Sequence, residues 1–464
     1  AHMKGVCIVA DRTPQGYLPA DRPPTGALLS LGFQHVLTMF PATALVALLT
    51  GFDVGVTIFA SGLATVIALL ASGMRIPMYY GSSFSYIAAI RNITFPGGAT
   101  ATSNALVQQA QVGIVGTAIV NVIAGLIVRA VGKARLDRVL PAVVTGSVAV
   151  VIGIALGKVA LDMATGTCCN PAAVSEWWTV AFITLLVTIL FSVYLRGRGL
   201  IGMLPVLLGA LVGYVVALFF GLVNFAPVGQ AAWFRIPEFS FPAFGDPRAW
   251  ATIFAIAPIA IATIPESTAH LYQIGLYADR LADELRRPRP EIRKLVGTNL
   301  ILDGVGDGVN GLLGGCAGTN YGENNSLMVI TRNYSGPVLV AAGVIAMLLG
   351  FVGKLAALVQ TLPTAVTGGL AIYLFGVIGL QGVALMMAEG VDFFDPRQLA
   401  IGAAILIVGI GGSAFPGGLI PIWGWQLPAI ATSAVAGILI NVIFLLFPPE
   451  RYVPAAMGTM GTGR

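Results

Sequence analysis

The sequence predicts an all-α protein that crosses a membrane many times, and three observations carry this. Of its 464 residues, 57% are hydrophobic and only 10% are charged, whereas a soluble domain carries about 25% charged residues. Mean hydropathy is +0.88. The apolar residues gather into segments near the 20 or so needed to cross a hydrocarbon core, divided by short polar turns. Two short motifs also recur in the second half of the chain, in the same order. Together these exclude a soluble enzyme, a disordered or fibrous chain and a disulfide scaffold.

Fourteen apolar segments can be counted, at 27–49, 54–73, 80–90, 106–128, 139–157, 177–195, 201–222, 249–275, 297–313, 321–331, 336–360, 363–388, 398–411 and 428–447. Two of them are too short to span. One runs from Tyr80 to Ile90 and stops at Arg91; the other runs from Tyr321 to Ile330 and stops at Arg332. Each reaches about 16 Å as a helix, half of the hydrocarbon core.

Loop charge gives the orientation. The net charge of +5 is read as a topology signal, and no nucleic-acid partner is expected. Arg129, Lys133, Arg135 and Arg138 follow the fourth segment, Arg196 and Arg198 the sixth, and the run from Arg280 to Lys294 the eighth. All follow even-numbered segments and so share one side. The positive-inside rule makes that side the cytoplasm, with both termini there. The loop 222–248 falls outside. Of the four cysteines, none forms a CxxC pair, so no metal site is expected. The adjacent Cys168 and Cys169 are expected to be inert.

The internal repeat is the most informative feature. Tyr80-Gly81-Ser82-Ser83-Phe84-Ser85 matches Tyr321-Gly322-Glu323-Asn324-Asn325-Ser326 at Tyr, Gly and Ser. Leu140-Pro141-Ala142-Val143-Val144-Thr145-Gly146 matches Leu362-Pro363-Thr364-Ala365-Val366-Thr367-Gly368 at Leu, Pro, Val, Thr and Gly. The matched segments are three and ten, and five and twelve. An offset of seven is odd, so the two halves must face opposite ways: a seven-plus-seven inverted repeat with half-helices at segments three and ten. Transporters of this kind bind substrate near the midplane, where interrupted helices meet. Ser82, Ser83 and Phe84 are therefore expected to face Glu323 and Asn324 across a pocket.

Ionisable residues inside a membrane are costly and point to function. Away from segment ends they are His35, Glu266, His270, Asp303, Asp307 and Glu323. Glu266 and His270 lie four apart, on one helix face, and such a pair can take up and release a proton. Pro265 is expected to break the helix just before them. Glu323 opens a half-helix, where the dipole favours a carboxylate, and it offers acceptors to a ligand with adjacent N–H donors. Asn324 and Asn325 add amides, one of them expected to be structural. His35, beside Gln34, reads by itself as a core residue. Asp303 is expected to support the exposed backbone N–H groups of the broken region; Asp307 is left open. Phe84 and Phe375 can sandwich a flat ring. Two acids without a central Lys or Arg disfavour an inorganic anion. A polar, neutral, planar ligand rich in N–H fits better, and uracil, xanthine and uric acid all satisfy that description.

Gly318-Thr319-Asn320-Tyr321-Gly322-Glu323-Asn324, followed by Ile330-Thr331-Arg332, resembles the signature of the nucleobase–ascorbate (nucleobase:cation symporter 2) family, and most of all its bacterial uracil permease branch. Gln34-His35, Gly81-Ser82-Ser83-Phe84, Pro265-Glu266 with His270, Asp303-Gly304 and Leu374-Phe375-Gly376 add to the resemblance. The resemblance implies a core domain from residues 24–137 and 249–361 and a gate domain from 138–248 and 362–447. It implies that carboxylates at Glu266 and Glu323 and backbone N–H groups at Phe84 and Gly322 hold the base, with Ser83 and Tyr321 beside them. It further implies that His270 couples a proton and that Phe375 lies on the gate side. Gln34, His35, Asp303 and Asn324 take supporting places. Ser326 stands where the signature has Gly, and Phe375 where a Tyr is expected. The expectation is a homodimer joined through gate domains in the cytoplasmic membrane. It would import a nucleobase, uracil before a purine or xanthine, by elevator-type proton symport, with sodium as the alternative ion. Neither a cofactor nor an enzymatic step is expected.

Overall fold

The computed structural model describes residues 16–448 apart from 97, 98, 100, 167–173, 196, 197, 199 and 200. Cys7, Cys168, Cys169 and Arg196 lie outside the described residues.

The chain is helical almost throughout. Helices α1 (Thr25–Thr50) and α2 (Val54–Ala71) meet at Gly51, whose φ of 77° stops α1. Asp53 then caps α2 by accepting from the Val56 N–H. Strand β1 (Tyr80–Ser82) leads through a tight turn, Phe84–Tyr86, into α3 (Ile87–Thr94). After α4 (Asn104–Val131) comes a charged linking helix, α5 (Lys133–Val139). Then follow α6 (Ala142–Ala155), α7 (Gly157–Thr165), α8 (Val174–Tyr194), α9 (Pro205–Phe219) and the short α10 (Ala226–Gln230).

The second half opens with α11 (Ala249–Ile256), a tight turn at Ala257–Ile259 and α12 (Ala260–Glu284). Next come α13 (Val296–Leu313), strand β2 (Gly318–Asn320), α14 (Gly322–Thr331), α15 (Gly336–Gly350) and α16 (Gly353–Gln360). The chain ends with α17 (Thr364–Ala388), α18 (Pro396–Leu406), a widened turn at Ile407–Gly411, the hairpin β3 (Leu419–Ile422) with β4 (Trp425–Pro428), and α19 (Ala429–Leu446).

Among the described residues, 8 helical stretches are long and apolar enough to cross a membrane, while Pro205–Phe219, Gly336–Gly350 and Pro396–Gly411 are apolar but shorter. The break expected at Pro265 falls elsewhere. α12 runs straight through Pro265, and the interruption comes one to two turns earlier, where Pro258 sits in the tight turn. Pro258 is the residue that ends α11, because it has no N–H to continue the ladder.

The two half-helices are joined through their leading strands. β1 and β2 pair antiparallel, with Tyr80 opposite Asn320, Gly81 opposite Thr319 and Ser82 opposite Gly318. The ladder extends at both ends: the Ser83 N–H donates to the Ala317 carbonyl at 3.0 Å, and the Tyr321 N–H to the Tyr79 carbonyl at 2.9 Å. This is the solution a non-helical backbone needs at membrane depth, where no water can satisfy it. Gly81 is required by close approach, since a Cβ there would sit 2.2 Å from the Tyr321 ring.

The packing is mirrored between halves. α4 lies along α13 as α2 lies along α15, and α11 meets α4 as α1 meets α15. α6 packs on α17. Both long contacts rest on glycines that let the backbones touch. A Cβ on Gly125 would lie 2.6 Å from the Gly297 carbonyl oxygen, and one on Gly62 2.4 Å from that of Gly343. One buried apolar cluster, including Met39, Ile58, Leu271, Leu300 and Leu339, draws only on α1, α2, α4, α12–α15 and their flanks. A second, including Val148, Ile152, Phe375 and Ile405 of α6, α17 and α18, spans both groups of helices, taking in Leu45 and Leu49 of α1, Ile87 and Ile90 of α3, Ile114 of α4 and Ile261 of α12.

Two segments outside the helices are tied down. Before α1, Tyr17 and Pro19 accept from the N–H groups of Tyr334 and Gly336, each at 2.8 Å, and Asp21 takes a two-pronged bond from Arg287 at 2.6 and 2.8 Å. Between α10 and α11, the Arg235 guanidinium bonds Asp53, the cap of α2, and its N–H donates to Phe351 at 2.9 Å. Phe234 stacks on Phe351. Gln111 of α4 donates to the carbonyls of Ser240 and Gly311, both at 2.8 Å. The loop expected only to lie outside is thus fastened to the ends of α2, α4, α13 and α15.

Overpacking a tight core costs about 1–3 kcal/mol. Gly62→Leu is therefore expected to lower the thermal unfolding midpoint of the detergent-solubilised protein by several degrees. Gly26→Leu, at a position with nothing within 4 Å of a Cβ, leaves it unlowered. Equal midpoints would remove the close contact of α2 and α15 from the account of stability.

Candidate functional site

The hairpin of β1 and β2 is gripped by the two helices that flank it. From α2, the Ser61 hydroxyl donates to the Tyr80 carbonyl at 2.6 Å, and Thr65 Oγ1 accepts the Tyr80 N–H at 3.0 Å. From α13, Asp307 Oδ1 accepts the Tyr80 hydroxyl at 2.6 Å and the Gly318 N–H at 2.8 Å, while Oδ2 accepts from Asn121 at 2.8 Å. The support expected of Asp303 for the exposed backbone is thus given by Asp307. Asp303, one turn away, accepts instead from Ser267. The Ser267 oxygen in turn accepts amide protons from Asn299 at 2.7 Å and Asn320 at 2.9 Å. Asp303 therefore holds α12 and β2 together just behind Glu266.

His270 is set by that assembly. Its Nδ1 lies 2.8 Å from the Asn320 carbonyl oxygen. A carbonyl only accepts, so Nδ1 carries the hydrogen and Nε2 keeps its lone pair. Nε2 stands over the start of α14, where a Cβ on Gly322 would be 2.9 Å from it. Any larger residue at 322 would displace the imidazole. Asn325 donates weakly, at 3.4 Å, to the His270 carbonyl.

These elements enclose a cavity of about 540 Å³. Ser82, Ser83 and Phe84 line it from β1 and its turn, and Tyr321, Gly322, Glu323 and Ser326 from α14. Glu266, His270 and Gln273 line it from α12. The facing wall comes from α6 and α17, with Thr145, Leu374, Val377, Ile378 and Gln381. The Glu266 carboxylate takes no protein hydrogen-bond partner among the described residues and is available to a ligand. Glu323 is exposed to the cavity. The first N–H groups of a helix have no acceptor within it, and those of Phe84 and Gly322 open here. No Lys or Arg lines the cavity. Among the described residues no group of His, Cys, Asp and Glu is placed to hold a metal ion.

Several of the expected site residues stand off the wall. Asn324 turns from the pocket to donate to His35, at 3.1 Å to both its Nδ1 and its carbonyl. Both residues are buried and brace α14 against α1. Gln34 contributes its carbonyl to the Thr38 hydroxyl. Tyr321 touches the cavity, but its hydroxyl is committed, donating to the Ser82 carbonyl at 3.0 Å and lying 2.8 Å from Thr43. Phe375 is only 1% exposed, inside the apolar cluster, and its neighbours Leu374 and Ile378 form the wall instead. Gln273 and Gln381 were not singled out from the sequence. Gln273 could have been found, since it continues the face of Glu266 and His270.

A second cavity, of about 420 Å³, adjoins the first and shares Thr145, Pro265, Ala269 and Leu385 with it. Its far walls carry Asp137, Tyr272, Glu389, Arg397 and Asn441.

A family model described as "Permease family" matches residues 26–418. A curated protein named uracil permease from Bacillus caldolyticus is 37% identical over 425 residues, which cover 91% of this chain and 93% of that protein. The uracil permeases of Bacillus subtilis (strain 168) and Escherichia coli (strain K12) are 34% and 32% identical, covering 91% and 94% of this chain and 94% and 96% of theirs. Among solved structures, the transmembrane domain of the cyanobacterial bicarbonate transporter BicA aligns with a TM-score of 0.57 at 14% identity, over 92% of this chain and 100% of that one. The murine Solute Carrier 26 family member A9 anion transporter aligns with a TM-score of 0.65 at 12% identity, over 92% of this chain and 69% of that one. At such identities these two share the fold alone. With the family model spanning most of its length and uracil permeases related to it end to end, the chain belongs to this permease family, the nucleobase–ascorbate transporters that its segment from Gly318 to Arg332 resembles.

Proposed function

We propose that the protein imports a nucleobase, uracil first, across the cytoplasmic membrane by proton symport. The observation that carries this is the cavity's inventory: two carboxylates on different helices, the free N–H ends of two half-helices, and no basic side chain. A planar base with N–H donors and carbonyl acceptors complements that set. The relatives named uracil permeases support the choice of base.

In this reading Glu266 and Glu323 accept the N–H groups of the base, while the Phe84 and Gly322 N–H groups meet the carbonyl that lies between those N–H groups. The proton would travel on Glu266 and on His270 Nε2, whose lone pair the Asn320 contact leaves free. The fourteen-segment inverted repeat is supported by the mirrored packing and by the two half-helices meeting through one ladder. α13 supplies the remaining span, its length that of α2 but its face studded with Gly, Asp and Asn. A moving core of residues 24–137 and 249–361 against a gate of 138–248 and 362–447 is supported by the apolar cluster confined to the first group and its flanks. The adjoining vestibule opens beside Asp137 of α5, in the Arg-rich stretch read as cytoplasmic, which supports a conformation open to the inside.

The test is uptake of labelled uracil into proteoliposomes under an imposed pH gradient, with unlabelled uracil, xanthine and adenine as competitors. Gradient-driven accumulation blocked by uracil alone is the expected result. Accumulation driven equally by a sodium gradient would replace the ion, and uptake blocked only by purines would replace the base.

Loss of a charge-assisted hydrogen bond costs about 1.5–3 kcal/mol, or roughly 10- to 100-fold in affinity. Glu266→Ala and Glu323→Ala are each expected to weaken uracil binding by that much in protein that still folds; unaltered binding in either would refute the assignment. His270→Ala is expected to flatten the pH dependence of uptake more than it weakens binding, and an unchanged pH profile would remove His270 from the coupling. Gly322→Ala is expected to mimic His270→Ala, because its methyl group occupies the space beside Nε2.

A further inference from the structure

The two walls of the cavity are chemically unequal. The wall from β1, α12 and α14 carries both carboxylates, the imidazole and the half-helix ends. The wall from α6 and α17 is Leu374, Val377, Ile378, Ala149, Thr145 and Gln381. The Thr145 hydroxyl is buried and turned to the Ala142 carbonyl. That leaves Gln381 as the polar side chain on this wall, among the described residues, with hydrogen-bonding groups to offer. It is exposed to the cavity, and no protein partner is recorded for its amide. Leu374, Val377, Ile378, Gln381 and Leu385 recur at helical spacing and so share the face of α17 that fronts the cavity. Gln273, the other amide on the cavity, rides on α12 with Glu266 and stays with the carboxylates whatever the two walls do.

We propose that Gln381 is a specificity-determining residue, whose amide reads the edge of the ligand that points away from Glu266 and Glu323. This rests on the nucleobase reading above. Ionised carboxylates only accept hydrogen bonds, so they select N–H groups. They cannot tell a base whose remaining edge shows a carbonyl from one that shows an amino group there. A primary amide holds a donor and an acceptor, and its N–H₂ group meets a carbonyl across the otherwise apolar wall. The ligand class is an oxo-substituted base. A site built to pair one polar group rejects an analogue that leaves it unpaired far better than an apolar wall does.

The experiment compares uracil with cytosine, which carries an amino group in place of one carbonyl and no hydrogen on the adjacent ring nitrogen; the carboxylates read that second difference equally in every variant, so the change in preference from wild type to variant reports on Gln381. Uptake of labelled uracil is measured in proteoliposomes for the wild-type protein, Gln381→Met and Gln381→Glu, with each unlabelled base as competitor. Gln381→Met keeps length and loses both hydrogen-bonding groups. It is expected to raise the KM for uracil about tenfold, one hydrogen bond's worth, and to shrink the preference for uracil over cytosine by a similar factor. Gln381→Glu, an acceptor only when ionised, is expected to shift the preference further toward cytosine. A wild-type preference in both variants, each present in the membrane at the wild-type level, overturns the role of Gln381 and leaves the nucleobase reading standing. Failure of the wild-type protein to take up uracil overturns uracil as the substrate, and this role of Gln381 with it. A general loosening of the fold would lower uptake without moving the ratio of the two bases, so the ratio is the decisive quantity.

Discussion

Three facing residue pairs of extended backbone hold this molecule's centre together. A chain that leaves the helical state inside a bilayer must find partners for every N–H and carbonyl it exposes. Here each broken segment is the partner of the other: Tyr80–Ser82 on Gly318–Asn320, with one more bond at each end. Because the strands are antiparallel, the helical segments that follow them, Phe84–Thr94 and α14, leave in opposite directions with their N-terminal ends near one another. The positive ends of two helix dipoles thereby converge on the cavity. The hydroxyls of Ser61 and Thr65 on one side and the carboxylate of Asp307 on the other then lock the ladder to α2 and α13.

The same ladder fixes the chemistry of the side chains. Asn320 pairs in the strand, donates its amide to Ser267 and Asn299, and presents its carbonyl to His270. One residue thus connects the backbone of the broken segment to the tautomer of the imidazole. Asp303, through Ser267, ties that arrangement to the turn of α12 that bears Glu266. The imidazole and the turn of α12 that bears Glu266 are consequently tied to one hydrogen-bonded network, while the carboxylate itself stays free of it.

Much of this was legible in the sequence. The shortness of segments three and ten, the doubled Tyr-Gly and Leu-Pro motifs and the spacing of Glu266 and His270 are local patterns, and each predicts its structure through helix geometry. What was not legible depended on which neighbour a side chain meets. Asp303 and Asp307 share a face of α13, and only the register of β2 decides that Asp307 reaches the Gly318 N–H. Phe375 lies on the correct helix, yet its side chain turns into the apolar cluster and leaves the wall to Leu374 and Ile378. Pro265 and Pro258 carry the same local signal for a break, and packing selected Pro258. The role of 222–248 was hidden because its bonds are made to distant helix ends, which periodicity cannot report.

The fastening of that loop limits how far the end of α9 can move from α16. Lys354 donates to the carbonyl of Val228 at 2.7 Å, and Arg235 is bonded to Asp53, so the chain is anchored from α10 onward. Between the last residue of α9, Phe219, and the first of α10, Ala226, the only free tether is residues 220–225. Fully extended, a tether of that length reaches about 20 Å. Unless α10 lets go, the end of α9 cannot move farther than that from its anchorage, and a displacement longer than this leash would have to begin by freeing Val228 from Lys354.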